Sequence, residues 1–226
     1  MFNKSKGFTL AEVLITLGII GVVAALSAPA LIQHAAGAKT GPALSRAISA
    51  LANGFQAYLY NNNADTVHTA NPAIGSKPVE LFTKLGSDHI KMTPSKISAV
   101  DIEKTTGGGA AVTSDTVTAF AFSDKSAVFV PNANCILEGE GAVERCVFYV
   151  LPVGWATKEH VVMGEDAFEL AYNNDGDILV YGLDYAADGD YWTDKCTDTK
   201  IKSFTPASDK KSCGGRIVAN SFKRDY

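Results

Sequence analysis

The sequence predicts an α+β fold: a long N-terminal helix, its first half transmembrane, packed on an antiparallel β-sheet. Three observations predict it. Residues 13–32 (VLITLGIIGVVAALSAPALI) hold no charge over twenty positions. Leu44, Ile48, Leu51, Phe55 and Leu59 then recur at spacings of four, three, four and four, the apolar stripe of an amphipathic helix. From about Val112 onward, short apolar segments separated by turn residues read as strands. A striped helix and a one-sided sheet bury each other's apolar faces.

Composition bounds the function. The chain has 226 residues, 20 Lys+Arg against 24 Asp+Glu, and 46% apolar residues. That is ample for a core and argues against disorder. A net charge of −4 argues against a nucleic-acid partner held by a global basic field.

At about 1.5 Å per residue, a helix over residues 13–32 is about 30 Å long, the thickness of a bilayer core. Before it stands a short basic segment with Lys4 and Lys6. An ordinary secretory signal is cut after its apolar region, but the small residues there, Ser27–Ala30, include Pro29. A cut after Gly7 instead leaves the apolar block in the mature chain. Glu12 stands just before the uncharged run. It reads either as an interfacial acid favoured by the helix dipole or as a carboxylate awaiting a positive partner inside a helix bundle.

Lys6 to Leu17, KGFTLAEVLITL, resembles the N-terminus of type IV pilins and the related pseudopilins. The resemblance covers about residues 1–35. It implies that a membrane prepilin peptidase cuts between Gly7 and Phe8 and N-methylates Phe8. It also implies that Glu12 is the assembly glutamate, pairing with a neighbour's N-terminal ammonium. Pro29 falls where many pilins carry a helix-kinking proline, and proline kinks a helix on steric grounds too.

The elements follow in order. Residues 1–7 are the leader and residues 8–62 the long helix, about 13–32 transmembrane and about 43–60 amphipathic. Gly37, Gly41 and Pro42 make a second weak point in it, and Asn61-Asn62-Asn63 stops it. Residues 63–226 form an extracytoplasmic, β-rich globular domain. Within it, residues 64–110 read as loop with a short helix near Val79–Leu85. Thr116–Phe122 alternates, with Thr118, Phe120 and Phe122 on one face and Val117, Ala119 and Ala121 on the other. Asp124-Lys125 turns it into Ala127–Val130. Cys146–Val153 is a buried strand, Phe168–Tyr172 and Ile178–Tyr181 a second hairpin, and Arg216–Ala219 a late strand.

The four Cys, at 135, 146, 196 and 213, have no CxxC spacing, which disfavours zinc and thioredoxin-type chemistry. They permit three disulfide pairings. The expected one is sequential, Cys135–Cys146 and Cys196–Cys213, each closing a short loop. An even set of Cys also places this domain outside the cytoplasm.

Four scattered His, and the absence of a Walker loop, G-x-S-x-G elbow or dinucleotide fingerprint, single out no catalytic residue. Residues 164–194 hold nine acids and no Lys or Arg. Ca²⁺ on Asp184, Asp188 and Asp190 is one reading; a solvated acidic face is the other, and EF-hand spacing fails. The segment between Cys196 and Cys213 carries Lys200, Lys202, Lys210 and Lys211, a basic loop that is either plainly solvated or a contact for DNA, a surface or a neighbouring subunit.

The leading expectation is a structural subunit of a type IV pilus-like or type II secretion pseudopilus filament, not an enzyme, with no required cofactor. It is a single-pass inner-membrane protein that passes into a periplasmic or cell-surface filament. Its partners are prepilin peptidase, other pilin subunits, inner-membrane assembly machinery and, before assembly, lipid. The alternatives are a minor or tip subunit that binds DNA, a surface or a secreted substrate, and a membrane-anchored extracytoplasmic enzyme.

Overall fold

A computed structural model describes residues 9–95, 100–103, 109–112, 116–135, 145–154, 160–164, 166–181, 183–184, 196 and 213–221. The chain divides into two compact units, Met1–Ala38 and Lys39–Tyr226. Helix α1 (Leu10–Asn61) contributes residues to both.

In the first unit α1 is apolar and uncovered: Leu14, Ile15, Leu17, Ile19, Ile20, Val22, Val23 and Leu26 are all exposed. Its helical backbone continues through Pro29, and in the second unit through Pro42, so neither proline ends it. The weak point read at Gly37, Gly41 and Pro42 does not interrupt the helix. The apolar residues that follow Pro42, beginning with Ala43 and Leu44, are buried, and their packing holds the helix there against the proline.

In the second unit Leu44, Leu51, Phe55, Tyr58 and Leu59 form the buried stripe of α1. After it come α2 (Val67–Ala70) and α3 (Pro78–Asp88). The strands are β1 (Met92–Ser95), β2 (Val100–Glu103), β3 (Gly109–Val112), β4 (Val117–Phe122) and β5 (Ala127–Pro131). They continue with β6 (Arg145–Leu151), β7 (His160–Val162), β8 (Phe168–Asn173) and β9 (Ile178–Val180), and α4 (Cys213–Ala219) follows.

Six strands make one antiparallel sheet in the order β1-β4-β5-β6-β8-β9. Its helix-side face presents Phe120, Val128, Phe148, Val150, Leu170 and Tyr172 to the α1 stripe and to Leu81, Phe82 and Leu85 of α3. Phe82 lies between the layers, its ring centroid 6.0 Å from that of Phe55, 5.2 Å from Phe148 and 5.8 Å from Phe120. The opposite face carries Val117, Ala119, Phe129, Tyr149 and Leu151, packed with Val161, Met163 and Ala167. Successive side chains of a strand point to opposite faces, so the alternation read in β4 serves two buried layers rather than one.

Two readings are corrected. Residues 213–219 are helical, not a strand, although Ile217 is buried. Four residues are too few to separate a strand from one turn of helix by periodicity, and the Cys196–Cys213 disulfide anchors the N-terminal residue of α4. The segment 64–110, read as loop with one helix, also contains α2, β1, β2 and the first residues of β3. Strands of four residues with Pro94 or Gly109 inside them carry almost no periodic signal.

The β8–β9 turn shows why local residues matter. Gly176 has φ of 79°, and a Cβ there would stand 3.1 Å from Leu59 Cδ1. Glycine lets this turn lie against the end of α1. Its neighbour Asn174 accepts from the backbone N–H groups of Val67 and His68, holding the start of α2.

Candidate membrane and assembly segment

Helix α1 begins with a reciprocal cap. The Glu12 carboxylate accepts from the Thr9 backbone N–H and the Thr9 hydroxyl, both at 2.8 Å, and the Glu12 N–H donates to Thr9 Oγ1 at 3.3 Å. This capping box satisfies donors that a helix start otherwise leaves open. Thr9 is the residue that sequence reasoning missed. Its signal was legible in Thr9-Leu10-Ala11-Glu12, the T-x-x-E pattern of a helix start.

Beyond the cap, Leu10–Ser27 has a mean hydropathy of 2.3, and this helix is long and apolar enough to cross a membrane. Its hydroxyls are turned back onto the helix. Thr16 donates to the Glu12 carbonyl at 2.9 Å and Ser27 to the Val23 carbonyl at 2.8 Å. Both polar groups are therefore satisfied without water, as the hydrocarbon requires. Gly18 and Gly21 have open space where a Cβ would stand.

Gly7 and Phe8 lie outside the described residues, and of the Pro29 side chain nothing is described. Residues 2–28 match the family model described as the prokaryotic N-terminal methylation motif. The chain carries the prepilin leader signature of type IV pilins and pseudopilins. The signature supports a pilin-like precursor processed by a prepilin peptidase, points to a structural subunit, and implies other pilin subunits as partners. No curated protein and no solved structure matches the chain.

The remaining candidates lie in the second unit. Disulfides join Cys135 to Cys146 and Cys196 to Cys213. The first closes on the domain core, where Cys146 is fully buried and the Cys135 N–H donates to the Ser76 carbonyl at 2.9 Å. Asp184 is exposed, and one of its oxygens accepts from the Val180 N–H at 2.7 Å. Asp188 and Asp190 lie outside the described residues, as do the lysines between Cys196 and Cys213. Among the described residues no group of three His, Cys, Asp or Glu side chains comes together to hold a metal.

Proposed function

We propose that this chain is a structural subunit of a type IV pilus-like or type II secretion pseudopilus filament. It is inserted as a precursor with the leader in the cytoplasm and the disulfide-bearing unit outside. Prepilin peptidase cuts between Gly7 and Phe8 and methylates the new N-terminus. The apolar helix, bent at Pro29, then leaves lipid for contacts with other subunits, so packing and polar pairing drive assembly rather than release of water. The capped carboxylate of Glu12 supplies the polar partner for a neighbour's Phe8 ammonium.

The observation that carries this reading is the motif over residues 2–28, coincident with an uncovered apolar helix over Leu10–Ser27. Intact-mass measurement of the native protein tests it. The expected result is loss of Met1–Gly7 and gain of one methyl group, and Gly7→Leu should leave full-length precursor in the membrane. Assembled protein that keeps its leader would refute the reading.

A further inference from the structure

We propose that the two edges of the six-stranded sheet are closed against strand addition by a second copy of this chain, with Pro94 closing one edge and Asp184 the other. The proposal does not depend on the filament reading. An edge strand offers a row of unpaired N–H and C=O groups and is a template for association. In an antiparallel pair, successive residues direct these groups alternately toward the partner and away from it.

At the β1 edge, the Phe122 N–H bonds to the Ser126 carbonyl, so Phe122 and Phe120 direct their backbone groups toward β5. Their β1 partners, Met92 and Pro94, therefore face outward. Pro94 has no N–H to offer. The Met92 N–H is already bonded to the Ile90 carbonyl at 2.7 Å. The Met92 carbonyl lies against α3, 3.0 Å from where a Gly86 Cβ would stand.

At the β9 edge, the outward Val180 N–H donates to an Asp184 carboxylate oxygen at 2.7 Å. The Val180 carbonyl accepts from the N–H groups of Leu183 and Asp184. Of the three residues of β9, this leaves Ile178 alone facing outward, too few for a ladder.

The test uses the full chain in detergent, which covers the apolar helix, and compares wild type with Asp184→Ala, Asp184→Asn and Pro94→Thr/Asp184→Ala. Hydrogen exchange should show a protected Val180 amide in wild type, and about tenfold faster exchange in Asp184→Ala. Asp184→Asn keeps an acceptor and should remain protected. Sedimentation should show wild type with one particle size at all concentrations and the double variant associating as concentration rises. A double variant that sediments like wild type would overturn the proposal, as would an unprotected Val180 amide in wild type.

Discussion

Gly54 of α1 faces the side chain of Ile90 so closely that a Cβ at position 54 would overlap Ile90 Cδ1 and Cγ1. A glycine inside a helix costs about 1 kcal/mol relative to alanine. Here it lets the helix approach the segment that leads from α3 into β1. Gly54→Ala should therefore destabilise the protein by about 1–2 kcal/mol, overpacking outweighing the gain in helix propensity. In an Ile90→Ala background the same change should be stabilising, because both overlapping atoms are gone. Thermal unfolding of the four proteins of this cycle measures the coupling. Equal effects of Gly54→Ala in both backgrounds would show that the contact imposes nothing.

That contact also marks where the sequence is silent. The apolar run, the α1 stripe and the two hairpins were legible because each repeats a period over several turns or strand pairs. Gly54 falls inside a helical pattern, and nothing in the order of residues says that Ile90 will cover it. The second buried layer, with Val161 and Met163, was hidden for a related reason. Short segments gain their burial from distant partners, not from a pattern of their own. At the membrane segment the leader was readable through its resemblance to prepilin N-termini, and residues 2–28 match that motif. Thr9 was readable as well, through the capping-box pattern that the structure displays as hydrogen bonds.

Tyr172 is fully buried, and its hydroxyl donates to the Gly75 carbonyl at 3.2 Å. Tyr172→Phe should cost about 1–2 kcal/mol, because the carbonyl loses its partner while the ring is kept. Burial holds the Tyr172 hydroxyl well above the ordinary tyrosine value of 10.0, with a smaller contribution from Tyr58. A pKa raised in the folded state stabilises below the unfolded value and is lost as pH climbs past it. Stability should thus fall above about pH 10, and less steeply in Tyr172→Phe. Identical alkaline slopes for the two proteins would remove Tyr172 from this account.

The Thr9–Glu12 cap makes graded predictions for assembly. Glu12→Ala should insert into membranes, since it removes a polar group, but should enter filaments poorly. Glu12→Asp keeps the charge with a shorter reach and should be intermediate. Thr9→Val leaves the carboxylate but removes one of its two donors, and with it the acceptor for the Glu12 N–H. It should assemble better than Glu12→Ala and less well than wild type. Filament yield per cell, set against the amount of membrane-held subunit, separates insertion from assembly. Wild-type yields from Glu12→Ala would make Glu12 a helix cap at the interface and no more.

The acidic stretch offers a choice between a bound cation and a solvated face. A hard cation such as Ca²⁺ gathers six or more oxygens, and one oxygen of Asp184 is already engaged by the Val180 N–H. Glu169, on β8, is buried and stands apart from any solvated face. Without a cation, the other acids between Gly164 and Asp194 repel one another and are eased by any salt. Millimolar CaCl₂ and MgCl₂ should therefore raise the melting temperature no more than NaCl of equal ionic strength. A rise specific to Ca²⁺ would have the opposite meaning, since an ion that binds only the folded state stabilises by mass action. Asp188→Asn decides between them. If it abolishes a Ca²⁺-specific rise, Asp188 is one of the ion's ligands. If all three salts act alike on both proteins, the acids outside the buried strand β8 are a solvated surface whose charge is available to a neighbouring subunit.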